Sequence, residues 1–188
     1  MLRLTGGIFR GQSIQTPNQS QTRPTQSKLR QALFNSLQSV TPEAYVLDLF
    51  AVSGALGFES LSRGASQVVF VESSPGVAQC ILRNAQHLKV MNQIKLLNEA
   101  LPKVIPRLIA YGPFDLVLAD PPYDKDWGMF LLSHLPWSQL LTMGAYFCLE
   151  WRVQKINSKN ELPDEVAGLQ KVREKKYGDS VLTTYLRC

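Results

Sequence analysis

The chain has little that would tie it to a membrane, a metal or an oxidising compartment. No stretch of its 188 residues approaches the roughly 20 consecutive apolar positions of a bilayer-crossing helix. The opening Met1-Leu2-Arg3-Leu4-Thr5-Gly6-Gly7 has no apolar signal core. Cys80, Cys148 and Cys188 are odd in number and far apart, with no CxxC, which argues against a disulfide framework or a zinc site. His87 and His134 share no ligand spacing. The expectation is a cytoplasmic protein without metal. Internal repeats and low-complexity tracts are absent too. So is a phosphate-binding GxxxxGK[ST], which argues against an NTPase.

Acidic residues are missing from one region. Residues 1–42 contain Arg3, Arg10, Arg23, Lys28 and Arg30 and no Asp or Glu, which accounts for the whole net charge of +5. A second basic excess lies at Lys171, Arg173, Lys175 and Lys176, against Glu174. Charge segregated in this way suits a polyanion-binding face, although a merely solvated basic surface reads the same. Arg3, Arg10, Arg23, Lys28 and Arg30 are the candidate RNA contacts.

From Tyr45 onward, apolar runs alternate with helical stretches. Strands are expected at Tyr45–Phe50, Gln67–Glu72, Gln93–Asn98, Phe114–Ala119 and Gly144–Glu150. Helices are expected near Gly54–Arg63, Pro75–Leu88 and Leu101–Ala110, and Leu169–Tyr177 with Ser180–Arg187 reads as an antiparallel hairpin. Alternating βα units imply a mostly parallel sheet covered by helices. Before them, Leu2–Ile14 suits a short hairpin and residues 15–27 a loop. Thr25 is a candidate N-cap for a helix whose stripe is Leu29, Ala32, Leu33, Ser36 and Leu37. One domain is expected: a basic extension at 1–42, acting as RNA contact and cofactor lid, packed on 43–188.

The most informative feature is Asp120-Pro121-Pro122-Tyr123, directly after an apolar strand. Open α/β sheets place ligands at the carboxyl ends of their strands. Asp120 and the carbonyl beside Pro121 can accept hydrogen bonds from an exocyclic amine. Pro121 and Pro122 stiffen the backbone, and Tyr123 can stack on a flat ring. A cofactor edge is written in the same order. Asp48 ends in a turn of small residues, Ser53, Gly54 and Gly57, where free helix N–H groups can receive an anionic end. Glu72 ends the next strand and can hold a ribose diol, and Glu99 can accept from an adenine amino group. Each acid alone also reads as a solvated strand end, and the glycines as turn packing. The ordered set carries the argument. The first glycine of GxGxxG is replaced by Val52, which together with Asp120–Tyr123 points to S-adenosylmethionine rather than a dinucleotide.

With these residues assembled, the chain resembles a class I methyltransferase of the RsmD family. Its members methylate the exocyclic 2-amino group of a guanine in small-subunit (16S) ribosomal RNA. The resemblance runs through Gly6–Gly11, Arg23-Pro24-Thr25 before Leu33-Phe34-Asn35, Asp48-Leu49-Phe50 and Ser53–Gly57. It continues through Ser62–Ala65, Glu72, Asn84, Asp120–Tyr123, Glu150 and Lys176-Tyr177-Gly178. It implies a Rossmann-like fold: a mostly parallel seven-stranded sheet with an antiparallel C-terminal hairpin, helices on both faces, and a small N-terminal hairpin and helix. It implies that Asp48, Ser53, Gly54 and Gly57 border the methionine part of the cofactor. Glu72 would hold the ribose, Glu99 or Ala100 would meet the adenine, and Arg23 and Thr25 would close over the site. Asp120, Pro121, Pro122 and Tyr123 would hold the base. The implied partner is ribosomal RNA or an assembling small subunit, met by a monomer. Two positions depart from the family pattern: Val52 stands in place of a glycine and Gln31 in place of a glutamate. A left-handed Val52 would cost about 1–2 kcal/mol. An adenine or protein-amide methyltransferase, and a degenerate RNA-binding protein on the same fold, remain as alternatives.

Overall fold

The computed structural model describes residues 1–17, 24–122, 126–152 and 161–188. Tyr45–Leu49 (β3), Gln67–Val71 (β4), Ile94–Leu97 (β5) and Phe114–Ala119 (β6) are the parallel strands expected from the apolar runs. They alternate their side chains between two cores, as the two-residue period of a strand requires. Val46, Val68, Phe70, Leu116 and Leu118 face one side; Leu47, Leu49, Val69, Val117 and Ala119 face the other. Leu141–Arg152 (β7) joins β6 in parallel, and Ser180–Arg187 (β10) pairs antiparallel with both β7 and Leu169–Tyr177 (β9).

The sheet order is β5-β4-β3-β6-β7-β10-β9-β8, where β8 is the two-residue Glu165–Val166. The short edge strand brings the count to eight, one more than the seven expected. β3 sits between β4 and β6, so the winding reverses there and opens a crevice at the carboxyl ends.

One face of the sheet carries Pro24–Ser36 (α1), Ala55–Ser62 (α2), Pro75–His87 (α3) and the hairpin of Leu2–Arg3 (β1) with Ser13–Ile14 (β2). The other face carries Ile105–Tyr111 (α4), Trp127–His134 (α5) and Trp137–Leu140 (α6). Helix α1 buries Leu29 and Leu33 of its expected stripe, and Phe34 beside them. It begins at Pro24, so Thr25 lies in its first turn rather than at the N-cap. Pro75 opens α3, where its missing N–H costs nothing.

The N-terminal hairpin is clasped to α2. Ile8 and Phe9 donate their backbone N–H groups to the Ser62 carbonyl and hydroxyl, and the Ser62 hydroxyl donates to the Gly6 carbonyl. Gly7 (φ 73°) lies so near the Ser62 carbonyl that a Cβ there would fall 1.7 Å from its oxygen. Only glycine fits at that contact. Below it, the wholly buried Glu59 accepts from the Thr5 amide (2.8 Å) and hydroxyl (2.7 Å), and pairs with Arg30 (3.2 Å) and Arg63 (3.0 Å). One carboxylate therefore ties together the hairpin, α1 and α2.

Candidate active site

Two cavities meet at the carboxyl edge of the sheet. One, of about 530 Å³, is walled by Val71, Glu72, Ser73, Glu99, Ala100, Leu101, Pro121, Pro122 and Trp127. The other, of about 230 Å³, is walled by Thr16, Pro17, Arg30, Asp48, Ser53, Leu56 and Glu150, among others. Gln26, Phe50, Val52 and Asp120 line both. Asp120 thus stands at the junction.

The sheet explains this placement. Asp48 is the β3 residue level with Leu118 of β6, and its side chain follows Val46 toward the α1–α3 face. Ala119 pairs with Leu149, so Asp120 and Glu150 emerge side by side one step later. Three acids, Asp48, Asp120 and Glu150, therefore share the smaller cavity. Asp48 is 1% exposed and accepts the Gly57 amide at 2.9 Å. Burial pushes its carboxyl up to about 8; the Gly57 hydrogen bond opposes this, and Asp120 and Glu72 add to it. The Asp48 carboxyl thus favours its protonated form more than a solvent-exposed carboxyl does.

Glu72 also organises the turn. Its two carboxylate oxygens accept the amides of Val52 (3.0 Å) and Ser74 (2.8 Å). Each oxygen keeps a second lone pair for a diol. Val52 adopts φ 52° and Phe50 φ 59°, so the turn is left-handed at the position where the resemblance expects glycine. The valine side chain is 49% exposed. Glu99 Oε2 lies 3.6 Å from the Arg107 guanidinium and, although its atom is covered, it accepts no hydrogen bond among the described residues. An acceptor without a donor, on the wall of an apolar cavity, suits an amino group on a flat ring.

Not every expected residue reaches the cavities. Gly54 and Gly57 line neither of them. Gly54 (φ 78°) caps α2, and a Cβ on Gly57 would meet the Phe70 ring at 2.2 Å. Both glycines are closely packed, against Phe58 and Phe70. Arg30 corrects the sequence expectation outright. It is 4% exposed, donates to Glu59 and to the Arg3 carbonyl (2.7 Å), and cannot meet RNA phosphates from there. Burial pulls its pKa below the ordinary value, against the pull of Glu59. Arg3, Arg10 and Lys28 are exposed. Arg23 and Tyr123 lie outside the described residues.

Other site residues escaped the sequence reading. Trp127 stands on the larger cavity with its ring 4.9 Å from Phe50. Its nearness in sequence to Asp120–Tyr123 was the available signal. Asn84, quoted only as part of a pattern, bonds the Gln15 backbone at both N–H (2.7 Å) and carbonyl (3.0 Å), and also the Ser53 carbonyl (3.0 Å). It fixes the approach of the N-terminal segment to the cavity. Among the described residues, no cluster of His, Cys, Asp or Glu is set to hold a metal ion. Among them, also, no helix is long and apolar enough to cross a membrane.

The family described as conserved hypothetical protein 95 matches residues 2–186. The chain belongs to this family. It is the RsmD family of the resemblance, and its named members agree. Ribosomal RNA small subunit methyltransferase D of Escherichia coli K12 is 31% identical over 186 residues, covering 99% of this chain and 90% of that one. The solved yhhF structure from Escherichia coli superposes with a TM-score of 0.83 at 32% identity, covering 99% of this chain and 97% of that one. A conserved hypothetical protein from Streptococcus pyogenes gives 0.74 at 34% identity, covering 85% and 95%. SMU.776, described as a methyltransferase complexed with SAH, gives 0.64 at 12% identity over 86% of this chain and 49% of that one, a likeness of fold alone. The fold of this RsmD-family chain is the Rossmann-like class I methyltransferase fold, mostly parallel with an antiparallel C-terminal hairpin.

Proposed function

We propose that the chain transfers a methyl group from S-adenosylmethionine to the exocyclic 2-amino group of a guanine in small-subunit ribosomal RNA. The observation that carries the proposal is the position of Asp120, on the wall common to both cavities and flanked by Pro121 and Pro122. The name of the Escherichia coli relative supports the RNA class of the substrate.

Residues of the chain fit the cofactor. The larger cavity, with Val71, Leu101, Ala100 and Trp127 around the unmatched Glu99 oxygen, suits adenosine, and Glu72 suits its ribose. The acidic smaller cavity suits a cationic amino-acid end. When bound, the cofactor supplies an electrophilic methyl on sulfonium sulfur and leaves as the neutral thioether.

The amine lone pair of guanine is delocalised into the ring and is a poor nucleophile. Asp120, accepting an N–H, favours a pyramidal nitrogen and stabilises the positive charge that grows as the N–C bond forms. The same carboxylate can take the departing proton. Pro121 and Pro122 hold the backbone carbonyls still, and positioning supplies much of the remaining rate. Exposed Arg3, Arg10 and Lys28 lend phosphate affinity that weakens with salt.

The test is transfer of labelled methyl to small ribosomal subunits that lack base modifications, followed by nucleoside analysis. The label should appear as N2-methylguanosine and fall to background with Asp120→Ala, which should still bind RNA. Label in adenosine, or equal turnover by the variant, would overturn the proposal.

A further inference from the structure

Helix α1 and strand β9 meet along a narrow seam whose gap, about 10 Å³, is the size of a water molecule. Ala32, Leu33 and Ser36 line it from the helix, and Arg173, Lys175 and Tyr177 from the strand. Lys28 lies four residues before Ala32, hence on the same helical stripe and one turn nearer the cavities. Gln26 and Arg30, its neighbours on the same turn, line the smaller cavity.

The strand register sets the distance. Lys175 pairs with Leu182, and Leu182 pairs with Glu150 of the acidic cavity. Two strand spacings put Lys175 roughly 10 Å from Glu150, across the sheet. Arg173 follows two residues back on the same face, roughly 6.6 Å further along the strand. Both side chains are exposed and form no ion pair among the described residues. Lys171, by contrast, is paired with Asp164 (2.9 Å) and Glu174 (3.8 Å). Glu174 accepts from Thr183 and so points to the opposite face of the sheet. Helix α1 has no acid at all. Among the described residues, then, no acid pairs with Lys28, Arg173 or Lys175. The Lys175 ammonium also sits 5.3 Å from the centroid of the Tyr177 ring, a cation beside an aromatic face.

We infer that the exposed surface along this seam is a track for the single-stranded RNA flanking the target nucleotide, with Lys28, Arg173 and Lys175 on its phosphates. The inference rests on the reading of the chain as an RNA-modifying enzyme. It adds a surface far in sequence from the basic N-terminal segment. A base turned out of its stack into the cleft drags its neighbouring phosphates with it. Lys175, three strand spacings or roughly 14–15 Å from Asp120, is placed to meet them, and the Tyr177 ring beside it adds an aromatic surface.

The test compares Arg173→Gln/Lys175→Gln with Lys176→Gln, whose side chain is on the opposite face beside Val181. The measurement is the affinity of a fluorescent single-stranded oligoribonucleotide as a function of salt. Loss of two phosphate contacts should lower the slope of log affinity against log salt by roughly 1.4, at about 0.7 per contact. Lys176→Gln should keep the wild-type slope, and melting temperature and cofactor affinity should be unchanged in all three proteins. An unaltered slope in the double variant, or an equal loss with Lys176→Gln, overturns the track. If the slope falls as expected while no N2-methylguanosine forms on any substrate, the track stands and the proposed reaction fails. If N2-methylguanosine forms and the slope is unaltered, the track alone fails.

Discussion

Glu59→Gln should destabilise this fold strongly. The carboxylate is wholly buried and receives four donors: Thr5 hydroxyl and Arg63 on Oε1, Thr5 amide and Arg30 on Oε2. An amide in its place turns one acceptor into a donor. The tolerable orientation puts the new NH₂ at the Oε1 position, where the Thr5 hydroxyl can rotate to accept. Arg63, 17% exposed, can then turn toward water. Arg30, 4% exposed, cannot, and it stays in place without a counter-charge. Removing one partner of a buried ion pair costs about 3–5 kcal/mol. At roughly 2–4 °C per kcal/mol for a chain of this size, the melting temperature should drop by about 6–20 °C. Circular dichroism melts and urea titrations would measure it. The double variant Glu59→Gln/Arg30→Met removes the stranded charge and should recover much of the loss. A change below about 1 kcal/mol in Glu59→Gln, or no recovery in the double variant, would refute the role given to this carboxylate.

Two more expectations concern the cleft. Val52→Gly relieves about 1–2 kcal/mol of left-handed strain but adds roughly 0.5–1 kcal/mol of glycine entropy and loses some half-buried valine surface. Stability should stay within about 1 kcal/mol of wild type, and calorimetric binding of S-adenosylmethionine should not weaken; a tenfold loss would show the valine methyls to be a needed wall. The raised Asp48 carboxyl gives a pH signature. The native state keeps a proton that the unfolded chain releases near pH 3.8, so this group's contribution to stability falls as pH rises from about 4 to about 8. Cofactor affinity should climb over the upper part of that range as the carboxyl ionises to face a cationic ammonium. Asp48→Asn should flatten both profiles, and a wild-type affinity independent of pH would exclude the proton release.

What could be read in the sequence was what short-range pattern encodes. The strands β3, β4 and β6 are continuous apolar runs closed by an acid or a turn, and each was legible to within a residue or so. Helices α5 and α6 were not, because Trp127–His134 is apolar almost all round and offers no period to detect. Strand β7 reaches back to Leu141, past the point where Gly144 (φ 78°) and a register shift break its alternation. That Asp48, Glu72, Glu99 and Asp120 line the cavities could be anticipated because strand ends are ordered in sequence as they are along the sheet edge. Arg30 was misread because a charge count carries no information about burial. Its partner Glu59 lies mid-helix with nothing nearby to mark it, and the two meet only through contacts 29 residues apart. Gln26 reaches the cavities through tertiary packing, which no local spacing announces.

Asn84 holds Gln15 on one side and Ser53 on the other, partners 69 and 31 residues distant along the chain. The chamber beneath it therefore has no partial form: its walls come from stretches that share no neighbourhood until the whole molecule has assembled. Ligand capture by this protein should consequently appear late in refolding and vanish early under denaturant, making the small molecule a direct gauge of how much of the population has finished folding.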